Sequence, residues 1–217
     1  MCFSATASFS VAAVTAVIGI AAIRHIKFPR EVPVAIVPLL FAVQQSVEGI
    51  IWLQLSNSST GNHVPELSAL YLIFAEVLWP AYAPFAVLMI ETNPTRRQIL
   101  SALSVIGVLL SIYLLSWLVT VTPIATIQNH SIVYGYYVNP FSWQQLVYLL
   151  CVCGPLLISS HGMIRLFGIV VLIGFAVSVY TYLTAFISVW CFFAAADSTL
   201  LYFHFKRATL AVHHSHA

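Results

Sequence analysis

Long apolar stretches alternate with short polar connections along the whole chain. Each stretch has about 17 to 25 residues, the length that an α-helix needs to cross a hydrocarbon layer about 30 Å thick. Seven can be read, with predicted bounds 7–23, 33–55, 67–90, 99–122, 142–160, 166–184 and 187–205. The pattern predicts an all-α, polytopic membrane protein, a bundle of seven transmembrane helices in a single transmembrane domain over residues 1–217.

The composition agrees with this class. The 217-residue chain is 61% hydrophobic and 6% charged, whereas soluble domains have about 45–50% apolar and about 25% charged residues. The lipid bilayer is therefore the expected surroundings, and the cell membrane the expected location, which is the inner membrane in a Gram-negative bacterium. No nucleic-acid partner is expected.

The basic residues predict the orientation. All eight fall in alternate connections or in the C-terminal tail: Arg24, Lys27, Arg30, Arg96, Arg97, Arg165, Lys206 and Arg207. The connections 56–66, 123–141 and 185–188 contain none. Because Lys and Arg are retained in cytoplasmic loops, the N-terminus is predicted outside and the C-terminus in the cytoplasm.

The longest outer connection, residues 122–143, is rich in aromatic residues towards its end. These are Tyr134, Tyr136, Tyr137, Phe141 and Trp143. Amphipathic rings favour the level of the lipid headgroups, so they are expected to anchor the chain at the interface. The alternative is that some of them line a ligand entrance.

Three acidic residues fall inside predicted spans: Glu48, Glu76 and Asp197. A rise of about 1.5 Å per residue puts Glu48 roughly 10 Å, and the other two roughly 14–15 Å, below the outer span ends. A charged carboxylate near the bilayer centre costs about 2.5–3.5 kcal/mol. The spans hold no Lys or Arg, so the expected partner is a proton, a polar neighbour, a metal or alkali cation, or a cationic ligand.

The other three acids, Glu31, Glu66 and Glu91, lie at span ends or in loops. They are interpreted as solvated surface charges, which need no special partner.

Polar neighbours on the same helix faces extend the predicted site. Gln44, Gln45, Glu48 and Trp52 share one face of the second span. In the third span, a proline four residues after Glu76 removes the helical donor for the Glu76 carbonyl, so a kink is expected there. The predicted ligand- or ion-binding residues are Glu48, Glu76, Asp197, Gln44, Gln45 and Trp52.

Two cysteines are predicted near the outer side, Cys2 before the first span and Cys191 about one turn into the seventh. A disulfide, a metal-ligand pair, a free nucleophile and two unrelated thiols all remain open. With Glu48, Glu76 and Asp197 they form the set that could hold a metal ion, which is the one cofactor that the sequence suggests.

Two stretches carry a family resemblance. The opening MCFSATASFS and the second-span segment VPLLFAVQQSVEGIIWL, with its QQ-x-x-EG-x-x-W motif, resemble an uncharacterised family of small bacterial seven-span membrane proteins, a domain of unknown function. The resemblance implies a bacterial polytopic membrane protein and no particular activity. Because these stretches carry it, Cys2, Gln45, Glu48 and Trp52 are the residues to test first.

The sequence thus predicts a cavity open towards the outer face, in which Glu48, Glu76 and Asp197 bind or move a proton, a metal ion or a small cationic ligand. The protein would be a transporter, a channel or a sensor. The spans contain no Lys for a retinal Schiff base, and no common hydrolase or nucleotide-binding motif occurs, so a function other than catalysis is favoured. A membrane-embedded metal-dependent enzyme is the first alternative; an accessory subunit of a larger membrane complex is the second. The sequence also leaves open whether the protein forms a homo-oligomer.

Overall fold

A computed structural model describes residues 4–56, 63–135 and 139–206. Within these residues nine α-helices and one β-hairpin have the bounds given below, and residues 200–206, after the last of these helices, are also helical. The helices are α1 (Ala5–Ile23), α2 (Val32–Ala35), α3 (Val37–Ser56), α4 (Val64–Leu72), α5 (Trp79–Ile90), α6 (Pro94–Leu118), α7 (Trp143–Ile158), α8 (Gly162–Thr181) and α9 (Phe186–Asp197). The strands are β1 (Ala125–Gln128) and β2 (Ser131–Tyr134).

Six of the described helical segments are long and apolar enough to cross a membrane. They are Ala5–Ile23, Pro29–Ser56, Val64–Ile90, Pro94–Leu118, Gly162–Thr181 and Phe186–Lys206. The remaining predicted span corresponds to α7, which has 16 residues and is about 24 Å long at 1.5 Å per residue. The chain is therefore a helical, multi-pass membrane protein, as predicted.

The helical segments begin and end within about five residues of the apolar stretches, and the largest difference is at α6. The apolar window begins at residue 99, but the helix begins at Pro94. The Asn93 side chain accepts a hydrogen bond from the Arg96 amide at 3.1 Å, and proline suits the first helical position. The cap at Asn93 thus starts α6 five residues before the apolar stretch, so the helix includes Arg96 and Arg97.

The third span is distorted where its sequence predicts a kink. Residues Ile73–Leu78 between α4 and α5 form a π-helical segment, and Pro80 follows it. The Tyr148 hydroxyl donates to the carbonyl of Ala75, and the Ser111 hydroxyl donates to that of Val77 at 2.6 Å. Side chains from neighbouring helices therefore supply donors at the distorted turn, as broken membrane helices require.

The helices pack as a ring of neighbours. α1 lies along α3, α5 lies between α6 and α7, and α7, α8 and α9 pack in sequence. The ring closes because α9 also contacts α1 and α3. Ser188 of α9 consequently faces Glu48 of α3, although they are 140 residues apart along the chain.

The β-hairpin was not predicted. Its antiparallel strands pair Ala125 with Tyr134 and Gln128 with Ser131. Asn129 and His130 at the turn have positive φ values of 46° and 59°, which a tight two-residue hairpin turn requires. The hairpin contacts α3, α4 and α9, so it covers the end of the bundle where these helices meet.

Candidate intramembrane binding site

Glu48 is the centre of a buried polar cluster. Its side chain is 2% exposed, and two side chains donate to its carboxyl group: the Ser188 hydroxyl at 2.5 Å and the Gln45 amide at 3.2 Å. Gln45 lies one helical turn before Glu48, so α-helical geometry brings the two together. The contact with Ser188 needs the packing of α9 on α3.

Gln44 connects this cluster to the third span. Its amide oxygen accepts a hydrogen bond from the Trp79 indole at 3.1 Å. Its amide nitrogen lies beside the Cys191 thiol but has no regular hydrogen-bond acceptor among the described residues. The amide oxygen of Gln45 likewise lacks a donor there. Both side chains are fully buried, so the cluster keeps hydrogen-bonding capacity for a further group.

Cys191 and Tyr71 complete the surroundings of Glu48. The Tyr71 hydroxyl is near both the Glu48 carboxyl group and the Cys191 thiol. Cys191 is also within electrostatic range of Glu76. Glu48 and Glu76 therefore both interact electrostatically with the Cys191 thiol.

Glu76 itself lies within the π-helical segment. It interacts electrostatically with Tyr148, whose hydroxyl group is bonded to the neighbouring Ala75 carbonyl. No Lys or Arg lies in the apolar stretches that form the spans. Neither glutamate therefore has a Lys or Arg within its own apolar stretch of the sequence.

Asp197 does not lie at the level of Glu48, and the predicted common depth is corrected. Ser188 marks the level of Glu48 on α9, and Asp197 is nine residues further on, about 13–14 Å along a helix. Asp197 is half-buried at the last residue of α9. The prediction counted depth from each outer span end, but Ser188, two residues after the start of α9, already lies beside Glu48, eight residues before the end of α3.

Trp52 and Tyr134 belong to an apolar cluster that covers Glu48. Trp52 is 6% exposed and packs in the same cluster as Tyr71 and Tyr134. The Tyr134 ring, expected at the headgroups, is instead buried and stacks on Tyr71 with 4.8 Å between ring centroids. The unpredicted hairpin therefore covers the end of the bundle at which the sequence predicts an opening.

The other interfacial aromatics behave differently. Phe141 and Trp143 are exposed, as expected of rings that anchor at headgroups. Tyr136 and Tyr137 lie outside the described residues.

A narrow apolar cavity begins on the other side of the cluster. Cys191, Trp79 and Tyr148 stand at one end of it, and Leu201 and Ile164 at the other. The space that the centres of water-sized molecules can reach is about 60 Å³, several times the ~10–15 Å³ that one water needs. The site thus has a polar part around Glu48 and an adjoining apolar part.

A metal centre is not formed by the described residues. Within residues 4–56, 63–135 and 139–206, no group of three His, Cys, Asp or Glu side chains could hold a metal ion. Cys191 forms no disulfide with another described cysteine. Cys2 lies outside the described residues, so its relation to Cys191 remains a prediction.

Glu91 was predicted to be a solvated surface charge, and this prediction is wrong. It is 2% exposed and lies between α5 and α6, outside the spans. It accepts hydrogen bonds from the Ser160 amide and hydroxyl at 2.8 and 2.7 Å and from the Thr92 and Asn93 amides at 2.9 and 3.0 Å. Burial alone would raise the pKa of Glu91, but these hydrogen bonds outweigh it and lower the pKa to about 2.

Ser188 and Tyr71 are the site residues that sequence reasoning missed. Ser188 lies where the predicted connection 185–188 and the predicted span 187–205 overlap, and α9 begins at Phe186. A weak signal existed, since Ser188 and Cys191 are three residues apart and share a helix face. Tyr71 had no signal, because a tyrosine in an apolar span is usual.

The fold and the cluster define a helical, multi-pass membrane protein with a buried acidic group. The chain belongs to a family of unknown function, DUF6629, whose model matches residues 1–216. The resemblance to an uncharacterised family is confirmed by this match. No curated protein and no solved structure gives a significant match.

Proposed function

We propose that the protein binds an exchangeable proton or small cation at Glu48 inside the membrane, and that it works as a transporter. The observation that carries the proposal is the environment of this carboxyl group. It is 2% exposed, hydrogen-bonded by Ser188 and Gln45, and without a Lys or Arg in the apolar stretches. A buried carboxyl group in such surroundings takes a proton or needs a cation.

Glu76 and Gln44 are proposed as partners in this site. Glu76 lies within electrostatic range of the same thiol as Glu48, and the Gln44 amide nitrogen has no regular acceptor among the described residues. A pair of acids near one another can share one proton or one cation, since two like charges at close range disfavour double ionisation. Asp197 and Trp52 are left outside the proposed site.

We further propose seven spans, with α7 as the fifth, and the N-terminus outside. All eight basic residues then lie on the cytoplasmic side, and the hairpin covers the outer end. This places Glu48 in the outer half of the bundle. A binding site closed by a hairpin on one side and narrowed to an apolar cavity on the other suits a transporter that exposes its site in turn to each side.

Proton flux into proteoliposomes tests the proposal. With a pH-sensitive dye inside and a potassium diffusion potential as the driving force, the wild type should acidify the lumen. Glu48→Gln keeps the shape and hydrogen-bonding ability of the side chain but cannot release a proton, so flux should fall at least tenfold.

The matched control is Glu66→Gln, because Glu66 is an exposed glutamate in the first turn of α4. It should leave the flux unchanged. Equal flux in Glu48→Gln and wild type would contradict a role of Glu48, and absence of flux in the wild type would contradict transport.

A further inference from the structure

Aromatic side chains line the apolar cavity next to Glu48. The N–H or O–H group of each Trp and Tyr among them donates a hydrogen bond to another part of the protein. Trp79 donates to Gln44 at 3.1 Å, and Trp190 donates to the Val171 carbonyl at 3.0 Å. Tyr82 donates to the Pro33 carbonyl at 2.8 Å, and Tyr148 donates to Ala75. An indole or a phenol has only one such hydrogen, so these four rings present no donor to the cavity.

The rest of the lining is apolar or a thiol, and the described residues that form it include no charged side chain. A hydrated inorganic cation would find no oxygen ligands there. Hydrocarbon, in contrast, would fill space that is lined by rings and aliphatic groups and is poor in polar partners for water. The cavity therefore selects for the apolar part of a ligand.

Its shape is that of a slot along the bundle. The lining runs along the helical segment Phe186–Lys206 from Trp190 to Leu201, eleven residues or roughly 16 Å along a helix. Its accessible space is only about 60 Å³, so it is narrow for its length. A single unbranched chain suits this shape better than a ring system.

One end of the slot adjoins the acidic cluster. Cys191 and Trp79 line the cavity and also contact Gln44. Glu48 and Glu76 are both within electrostatic range of Cys191. A chain lying in the slot would thus bring its head to the carboxyl groups, and aromatic faces beside it attract an organic cation.

We infer that the ligand is an amphiphilic organic amine, whose alkyl chain occupies the slot and whose ammonium group is bound at Glu48. This inference rests on the proposed function, because it names the cation that Glu48 binds. It adds a substrate class, an alkylammonium rather than a metal ion.

Tryptophan quenching by a brominated alkylamine tests the inference. Trp117 and Trp143 are exposed, so they are replaced in a Trp117→Phe/Trp143→Phe reporter protein, which keeps the cavity residues Trp79 and Trp190. The amine should quench this protein saturably. An alkyl alcohol with the same brominated chain should bind at least tenfold more weakly, because it carries no charge for Glu48.

Two substitutions narrow the slot from opposite walls, Ala194→Phe on α9 and Ala83→Phe on α5. Either one, if folded by circular dichroism, should abolish saturable quenching. Ala102→Phe is the matched control, since Ala102 is exposed on α6, which contributes nothing to the lining. Equal quenching in the cavity variants and in the control would overturn the inference.

The head group is tested separately. Glu48→Gln should weaken binding of the brominated amine at least tenfold and leave binding of the brominated alcohol unchanged. Equal affinities of amine and alcohol in the reporter protein would overturn the assignment of an amine. Amine binding that depends on Ala194 and Glu48, without proton flux in proteoliposomes, would keep the inference while contradicting transport.

Discussion

Glu48 and Ser188 show how one residue pair defines the polar cluster. The hydroxyl of Ser188 donates to a carboxyl group that is closed off from water. Since a buried acceptor that loses its donor costs more than an ordinary hydrogen bond contributes, this pair should be sensitive to small changes.

Ser188→Ala should therefore destabilise the protein by about 1–3 kcal/mol, the cost of leaving a buried polar group unsatisfied. The measurement is denaturant unfolding in detergent at neutral pH.

Ser178→Ala is the matched control. Ser178 is equally buried, but its hydroxyl has no hydrogen-bond partner among the described residues. Its loss should change stability by less than about 0.5 kcal/mol, as for substitutions that break no specific interaction. An equal decrease in the free energy of unfolding in the two variants would show that the contact of Ser188 with Glu48 is not stabilising.

The residues of this cluster differ in how far the sequence could predict them. Gln44, Gln45 and Glu48 follow from helical spacing within one span, which is local information. Ser188 reaches the site only because α9 closes on α3, 140 residues along the chain. No local pattern encodes that closure, and the same holds for the stacking of Tyr134 on Tyr71.

At the scale of elements, α5 and α6 cross at a point where no side chain fits. A Cβ atom on Gly107 would lie 2.0 Å from the Pro80 carbonyl oxygen. Small residues allow such close approach between membrane helices. The crossing holds the π-helical segment that carries Glu76 in place, because Ser111 of α6 also donates to Val77.

Gly107→Ala should separate the two helices and cost about 1–3 kcal/mol, the usual penalty for overfilling a packed interface. Thermal unfolding in detergent measures it.

Gly154→Ala in α7 provides the comparison, since its nearest contact would be an ordinary 3.5 Å from Leu150. It should be neutral or stabilising by up to about 1 kcal/mol, because alanine favours a helix. A Gly107 variant as stable as the Gly154 variant would contradict the close crossing.

The turns after α5 and α7 are joined through Glu91 and Ser160. The pKa of Glu91 is about 2 in the folded protein, below its ordinary value of 4.5. Its contribution to stability is therefore fully present above about pH 4.5 and is lost as the pH falls towards 2.

Glu91→Gln should thus be less stable than the wild type at pH 7 by about 1–3 kcal/mol, and the difference should shrink below pH 4.5. Unfolding midpoints of the wild type and Glu91→Gln, measured across this pH range, test the prediction. Glu66→Gln is the control, and its stability difference from the wild type should not change with pH in this way. A difference that stays constant down to low pH would contradict the ionised state of Glu91.

The elements themselves were largely predictable, because lipid requires long apolar helices and leaves few alternatives. The exceptions have physical reasons. Capping extended α6 into charged sequence at Pro94, and residues 125–134 paired as a hairpin whose inner side chains are buried by other parts of the chain. Glu91 became buried because Ser160 from a distant turn packs against it, beside the donors of its own turn.

At the scale of the whole molecule, the bundle places its acidic cluster between a β-hairpin and an apolar slot. The apolar stretches of the sequence contain no Lys or Arg that could pair with Glu48. The proposed transport and the proposed alkylammonium ligand both depend on one property, that the Glu48 carboxyl group exchanges a proton or cation while buried.

Infrared difference spectroscopy tests this property most directly. Spectra of the purified protein are compared at low and high pH, within the range in which circular dichroism shows that it remains folded. The account predicts a carboxyl band that is lost on deprotonation, absent in Glu48→Gln and retained in Glu66→Gln. Identical difference spectra of the wild type and Glu48→Gln over the whole range would contradict it.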